Sequence, residues 1–303
     1  MKASLRTVAW LVGAGIVWVL APATSRSVAV ADEAAPAATY IGTESCLGCH
    51  EDQAKGMGPH GSANFTARGI HGCETCHGPG SLHEEDPEGW QPRVTDLSVA
   101  ARNEMCTSCH SGGEQMMWVG SAHDRRNVSC TDCHSVHQPQ GAGQLAKATE
   151  LETCGSCHAD VRAELWRNSH HPVREGQISC SDCHNPHGTP FDKQIREASV
   201  NEQCYTCHTE KRGPFLWEHA PVRENCLSCH NAHGSNHLKL QKTSVPFLCQ
   251  QCHANTRHPG TLYDGSTLAD QARASNRIFN RACLDCHASI HGTNHPSSPY
   301  LGH

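Results

Sequence analysis

Residues 204–234 read CYTCHTEKRGPFLWEHAPVRENCLSCHNAHG. Two Cys-x-x-Cys-His units frame this stretch, Cys204, Cys207 and His208 at one end and Cys226, Cys229 and His230 at the other. His219 lies between them and His233 just after the second. Two thiols at this spacing bond covalently to the vinyl groups of one haem, and the next side chain presents an imidazole to its iron. Two haems need two further axial ligands if both irons are six-coordinate, and His219 and His233 are placed to supply them.

The pattern extends over the chain. All 20 cysteines fall without remainder into ten such units. The other eight are Cys46, Cys49 and His50; Cys73, Cys76 and His77; Cys106, Cys109 and His110; Cys130, Cys133 and His134; Cys154, Cys157 and His158; Cys180, Cys183 and His184; Cys249, Cys252 and His253; and Cys283, Cys286 and His287. A single Cys-x-x-Cys is more often a zinc knuckle, a redox dithiol or part of a disulfide framework. Histidine is only 25 of 303 residues, so its presence after all ten pairs is not chance, and ten covalent haem c groups are expected.

The units alternate in two series, so the chain reads as five repeats of two haems each. Every repeat adds a histidine between its units and another after the second: His60 with His83, His123 with His137, His171 with His187, His219 with His233, and His258 with His291. These ten are the expected distal ligands. His170 competes with His171 and His295 with His291, while His71, His237 and His303 stay unassigned. Which distal histidine serves which haem is open, because ligands of one repeat can reach its neighbours. The methionines of the mature chain, Met57, Met105, Met116 and Met117, do not follow the repeat. Bis-histidine ligation is therefore expected, and with it low reduction potentials.

Composition points the same way. Hydrophobic residues make up 37% of the chain, and without the cysteines and the N-terminal segment only roughly a quarter of the remainder is apolar. Soluble domains run near about 45–50% on a count that includes glycine. The expected fold is a multihaem cytochrome c in which the haems are the core, with short α-helices, irregular chain and little or no β-sheet. The 16 prolines and 26 glycines break up the spacers. Residues 158–168 read as two or three helical turns, no strand pattern is persuasive, and the long spacers 78–105 and 254–282 read as exposed loops with local helix. Trp118 and Trp166, each five residues ahead of a proposed distal histidine, are expected to pack on porphyrin faces.

Residues 1–31 carry Lys2 and Arg6, an apolar run from Thr7 to Ala23, and Ala29-Val30-Ala31 before Asp32, the layout of a cleaved secretory signal peptide. The apolar run is shorter than the roughly 20 residues of a membrane span. Removing this leader, with its three basic residues, leaves 21 basic against 30 acidic side chains, a formal net charge of −9. That sign disfavours nucleic acid as a partner, since phosphate contacts need Lys and Arg.

The stretch quoted first, with SCSDCHNPHG at 179–188, LCQQCHA at 248–254 and CHASIHGTNHPSS from Cys286, resembles the periplasmic decahaem cytochromes of MtrA, PioA and DmsE type. The resemblance covers the mature chain in motif order and is nearest in its second half. It implies an extended rod of two five-haem halves, 32–165 and 166–303, associated with an outer-membrane β-barrel porin. Electrons would pass between periplasmic donor or acceptor cytochromes and an extracellular multihaem cytochrome, terminal reductase or mineral. The chain is then an electron carrier with no catalytic residue. A soluble periplasmic shuttle without a barrel is the alternative. A multihaem reductase is disfavoured, because it needs an open iron and ten distal histidines are at hand.

Overall fold

The computed structural model describes residues 37–61, 71–90, 93–253 and 282–302. The leader, His258, His303 and all but the last residue of the 254–282 spacer lie outside them. Residues Ala38–His303 form one compact unit. Among the described residues no helix is long and apolar enough to cross a membrane.

The two series of motifs fold differently. Four units of the first series begin at the end of a helix, Val99–Thr107, Glu150–Cys154, Val200–Tyr205 and Phe247–Gln250, and the unit from Cys46 to His50 lies inside the helix Thr43–Lys55, which it bends at His50. Three of these begin at hydroxyl caps, with Ser98, Thr149 and Ser199 accepting from the backbone N–H of Ala101, Glu152 and Glu202. Such caps satisfy donors that the first helical turn leaves free. The chain then leaves helical geometry at the motif histidine, with φ −114° at His50, −90° at His158 and −100° at His208.

A unit of the second series is a single turn, Cys130–Cys133, Cys180–Asp182, Cys226–Ser228 and Cys283–Asp285. In three of them the aspartate before the second cysteine, Asp132, Asp182 or Asp285, accepts from the backbone N–H just ahead of the motif, at 2.8, 2.6 and 2.9 Å. The fourth has Ser228 there, and Asn225 instead accepts from Leu227 N–H at 2.8 Å. A loop follows, closed by bridges between His134 and Leu145, His184 and Ile195, and His230 and Gln241. Its tip holds two successive residues of positive φ: Gly143 and Gln144, Lys193 and Gln194, or Lys239 and Leu240. For a residue with a Cβ this conformation costs about 1–2 kcal/mol, and its recurrence in three loops marks a geometric demand that the motif histidines explain below.

Polar staples hold the two motifs of a repeat together. Asn103 Oδ1 accepts from Cys130 N–H at 2.9 Å while its Nδ2 donates to Val128 O. Asn201 does the same at Cys226, at 2.7 Å, and donates to Val222 and Arg223 carbonyls. In the middle repeat Glu150 takes this place, accepting from the N–H and hydroxyl of Ser181. In the first, Glu74 accepts from the N–H groups of Ile41, Gly42 and Gly80. Burial pushes the Glu74 carboxyl up, but these three donors outweigh it and hold the group below its ordinary range.

The interior made by the polypeptide itself is mostly polar. Among the described residues only Met57, Trp118 and Leu165 are buried apolar side chains, against nine buried polar ones that include Glu74, Asn103 and Asn201. The helix expected over 158–168 runs only over Ala159–Glu164. Two residues of strand occur where none was expected, Ser169–His170 antiparallel to Gly234–Ser235. Gly234 makes this pairing possible, because a Cβ there would lie 1.9 Å from the Glu164 carbonyl oxygen. The spacer 78–105 holds the short helices Ser81–Glu85 and Val94–Asp96 and the start of Val99–Thr107, in line with its reading as loop with local helix.

Two outcomes follow from the staples. Asn201→Ala leaves Cys226 N–H and two carbonyls without their partner, so denaturant unfolding followed by circular dichroism should show a loss of about 1–3 kcal/mol. The depressed carboxyl of Glu74 contributes stability that is fully present above about pH 4.3, its ordinary value, and is lost as pH falls through the lower folded value. Thermal midpoints measured from pH 6 to 3 should therefore fall less steeply for Glu74→Gln than for the parent chain.

Candidate haem centres

The motif histidines meet the other histidines across a nearly constant gap. His50 faces His83 with ring centres 6.0 Å apart, His110 faces His60 at 5.8 Å and His77 faces His137 at 6.0 Å. His158 faces His123 at 6.1 Å, His134 faces His187 at 6.0 Å and His208 faces His171 at 6.3 Å. His184 faces His233 at 6.3 Å, His253 faces His219 at 6.1 Å and His230 faces His291 at 6.1 Å. Two metal–imidazole bonds of roughly 2 Å each, plus roughly 1 Å from each nitrogen to its ring centre, span about 6 Å. The gap therefore fits one iron between each pair of rings. The donors come in twos, which suits a haem whose equatorial positions are already filled. No group of three or more His, Cys, Asp or Glu side chains suited to hold an ion by itself occurs among the described residues.

Partners of the ring nitrogens fix which nitrogen is available. Nδ1–H donates to a backbone carbonyl at His83 (Trp90 O, 2.7 Å), His123 (Pro186 O, 2.8 Å), His137 (Gln53 O, 3.1 Å) and His171 (Ala232 O, 2.5 Å). On the motif side the same bond runs from His134 to Gly143 O, His184 to Lys193 O and His230 to Lys239 O, at 2.9, 2.9 and 2.8 Å. A carbonyl only accepts, so Nδ1 carries the proton and Nε2 keeps its lone pair for a metal. The three motif-side acceptors are the first of the two positive-φ residues at each loop tip, which is what that backbone conformation achieves. At the last motif His287 donates to Tyr300 O at 2.8 Å, so the C-terminal segment takes over this role. Burial lowers the pKa of His60, His184, His187, His219 and His291, which favours the neutral, ligating form.

The pairing is interlaced. His50 meets a histidine of its own repeat, but the other eight pairs each join neighbouring repeats. A second-series unit looks forward to the histidine after the next second-series unit, as His134 does to His187 and His184 to His233. A first-series unit looks back, as His158 does to His123. His258, the remaining expected ligand, lies outside the described residues.

Geometry also separates the competing histidines. His171 faces a motif ring, whereas His170 has Nδ1 on Arg167 O at 2.8 Å and Nε2 on Glu175 at 3.2 Å. His291 faces His230, whereas His295 Nδ1 bonds the Ser297 hydroxyl at 3.0 Å. His71 stacks on Tyr40 at 4.1 Å. Of the two tryptophans, Trp118 is buried with its ring 6.3 Å from that of His187. Trp166 carries the Arg174 guanidinium 4.4 Å above its ring, a cation–π contact.

Cysteine sulfurs of successive motifs approach one another in order along the chain. Within repeats the first cysteines come to hydrogen-bonding reach: Cys46 with Cys73, Cys106 with Cys130, Cys154 with Cys180, Cys204 with Cys226, and Cys249 with Cys283. Between repeats, Cys76 lies within electrostatic range of Cys106 and Cys109, Cys133 of Cys157, Cys183 of Cys207 and Cys229 of Cys252. Asn103 and Asn201, which secure two of these junctions, were not singled out by motif reading. The signal for them exists, since both lie three residues before a first-series cysteine.

Comparison with known proteins agrees with this site. The family model for a doubled CXXCH motif matches residues 123–163, 170–213 and 219–258. Each match opens at or next to a histidine that faces the second motif within it, His123, His171 or His219. The family model for cytochrome c554 and c-prime matches residues 19–78. The multihaem cytochrome MtrA of Shewanella baltica is 44% identical over 272 residues, covering 86% of this chain and 81% of that protein. On these grounds the chain belongs to the MtrA family of multihaem c-type cytochromes.

Proposed function

We propose that the chain holds ten haems in sequence order, each iron between two imidazoles, and carries electrons along them between the periplasm and the outer membrane or cell exterior. The observation that carries this reading is the unbroken order in which cysteines of successive motifs approach one another, five times within hydrogen-bonding reach and four times within electrostatic range. Haems bound through those sulfurs would be neighbours in a single row, with no motif skipped. Haem iron, when bound, supplies a one-electron ferric–ferrous couple whose potential follows its axial ligands.

The protein's part is placement. Each pair of cysteines fixes one porphyrin edge, and the staples at Asn103, Glu150 and Asn201 fix one edge against the next. Backbone carbonyls engage Nδ1 of eight of these imidazoles and leave their Nε2 as the donor, which orients the ligand set. The division at 165/166 then orders the row as five motifs on either side. Contacts cross it, with Asn231 Nδ2 donating to Glu164 Oε1 at 2.9 Å. With two histidines per iron no position stays open for substrate, which favours a carrier over a reductase. Likeness to MtrA supports a periplasmic conduit seated in an outer-membrane β-barrel, with cytochrome partners at its ends.

Ligation is tested by low-temperature EPR of the oxidised, haem-quantified protein. The parent chain should show ten low-spin haems and no high-spin signal. His171→Ala should create one high-spin haem, and His170→Ala none; the reverse would overturn the assignment. The conduit reading is tested by fractionating the native host. The cytochrome should sediment with the outer membrane and co-purify with a β-barrel, whereas full recovery as free periplasmic protein would favour a soluble shuttle.

A further inference from the structure

His233 differs from its counterparts in what its second nitrogen meets. His83, His123, His137 and His171 turn Nδ1 to neutral carbonyl oxygens. Nδ1 of His233 instead faces Glu164 Oε2 at 3.4 Å. This carboxylate is built into place: its Oε1 accepts from Asn231 Nδ2 at 2.9 Å and from Arg167 Nη1 at 3.3 Å. Its backbone carbonyl lies against Gly234, where any Cβ would collide, so the glutamate is locked next to the histidine at the level of the main chain as well. Only a quarter of the Glu164 side chain is exposed.

Among the described residues one other histidine of a facing pair is in ion-pair contact with an acid, His208 with Glu210 at 3.8 Å, but both side chains are more than half exposed, and His187 has Glu114 only at longer electrostatic range. Solvent screens a charge there. Around His291 the nearby fixed charges have the opposite sign, Lys211 and Lys239. The chain thus surrounds equivalent imidazoles with different charge.

We propose that Glu164 is a positioning residue that lowers the reduction potential of the haem held between His184 and His233. The inference rests on the ligation reading above. A carboxylate on the far nitrogen of a ligating imidazole raises its basicity, and a more basic ligand with a negative charge behind it favours ferric over ferrous iron. The step it tunes is one electron in and one electron out. No bond is made or broken at Glu164 or His233 in that step. Arg167 works against it, because a guanidinium on Oε1 cancels part of the charge.

The test is a spectroelectrochemical titration of the whole decahaem protein, with haem content and EPR recorded beside it. In Glu164→Gln one of the ten components should move to higher potential, by about tenfold in its ferrous-to-ferric ratio, or roughly 59 mV for one electron. All haems should stay low-spin. Arg167→Met should move the same component down, and Glu175→Gln, whose acid contacts His170 outside any facing pair, should move none. An unchanged titration in Glu164→Gln, or shifts of the same sign in the Glu164 and Arg167 variants, overturns the proposal in favour of a packing role. So does a high-spin haem in Glu164→Gln. His233→Ala separates the underlying reading: if it creates no high-spin haem, His233 is not a ligand and the ligation reading itself fails.

Discussion

Two imidazoles facing each other across about 6 Å are the element on which everything else in this chain depends. Each facing pair joins residues far apart in sequence, and nearly all of the described pairs join different repeats. The chain has few apolar side chains to drive collapse, so these junctions, with the porphyrins they are built to grip, replace an ordinary core. The polypeptide's own buried groups are mainly hydrogen-bonded amides and carboxylates, and their role is to aim the two halves of each junction. Burial of haem faces supplies the apolar area, while directional polar bonds supply the register.

Within this scheme the two motif series divide the labour. First-series motifs sit at helix ends or, at His50, at a kink within a helix, and three of those helices start from a hydroxyl cap. Three second-series motifs are single turns followed by a loop whose strained tip delivers a carbonyl to the motif histidine. Lys193, Gln194, Lys239 and Leu240 all adopt the left-handed region without being glycine. Such strain persists where surrounding structure over-determines it, and here the Nδ1 bond and the bridge at the loop base do so.

Much of this was legible in the sequence. The repeat, the covalent sites and the haem-wrapped, helix-poor fold follow from motif spacing and from the shortage of apolar residues. The nine described histidines that face motif rings are all among the ten read from the repeat. What spacing could not supply was the interlacing, because a period fixes where a ligand sits within its repeat but not which neighbour it reaches. Nor could it choose between His170 and His171, which differ by one position and are separated only by the Arg167 carbonyl and Glu175 that occupy the first of them. The staples Asn103 and Asn201 were invisible because a lone asparagine carries no chemical signature until the backbone it clamps is seen.

The forward and backward reach of the facing pairs also constrains how such a chain can change length. Because His137, His187, His233 and His291 occupy equivalent places, removing or duplicating one whole period leaves every surviving ring opposite an equivalent partner. A cut that is not a whole number of periods strands a ring on each side of the break. Lengthening or shortening by gene duplication and deletion is thereby quantised in units of two haems, and the distance such a cytochrome spans is inherited in steps rather than tuned continuously.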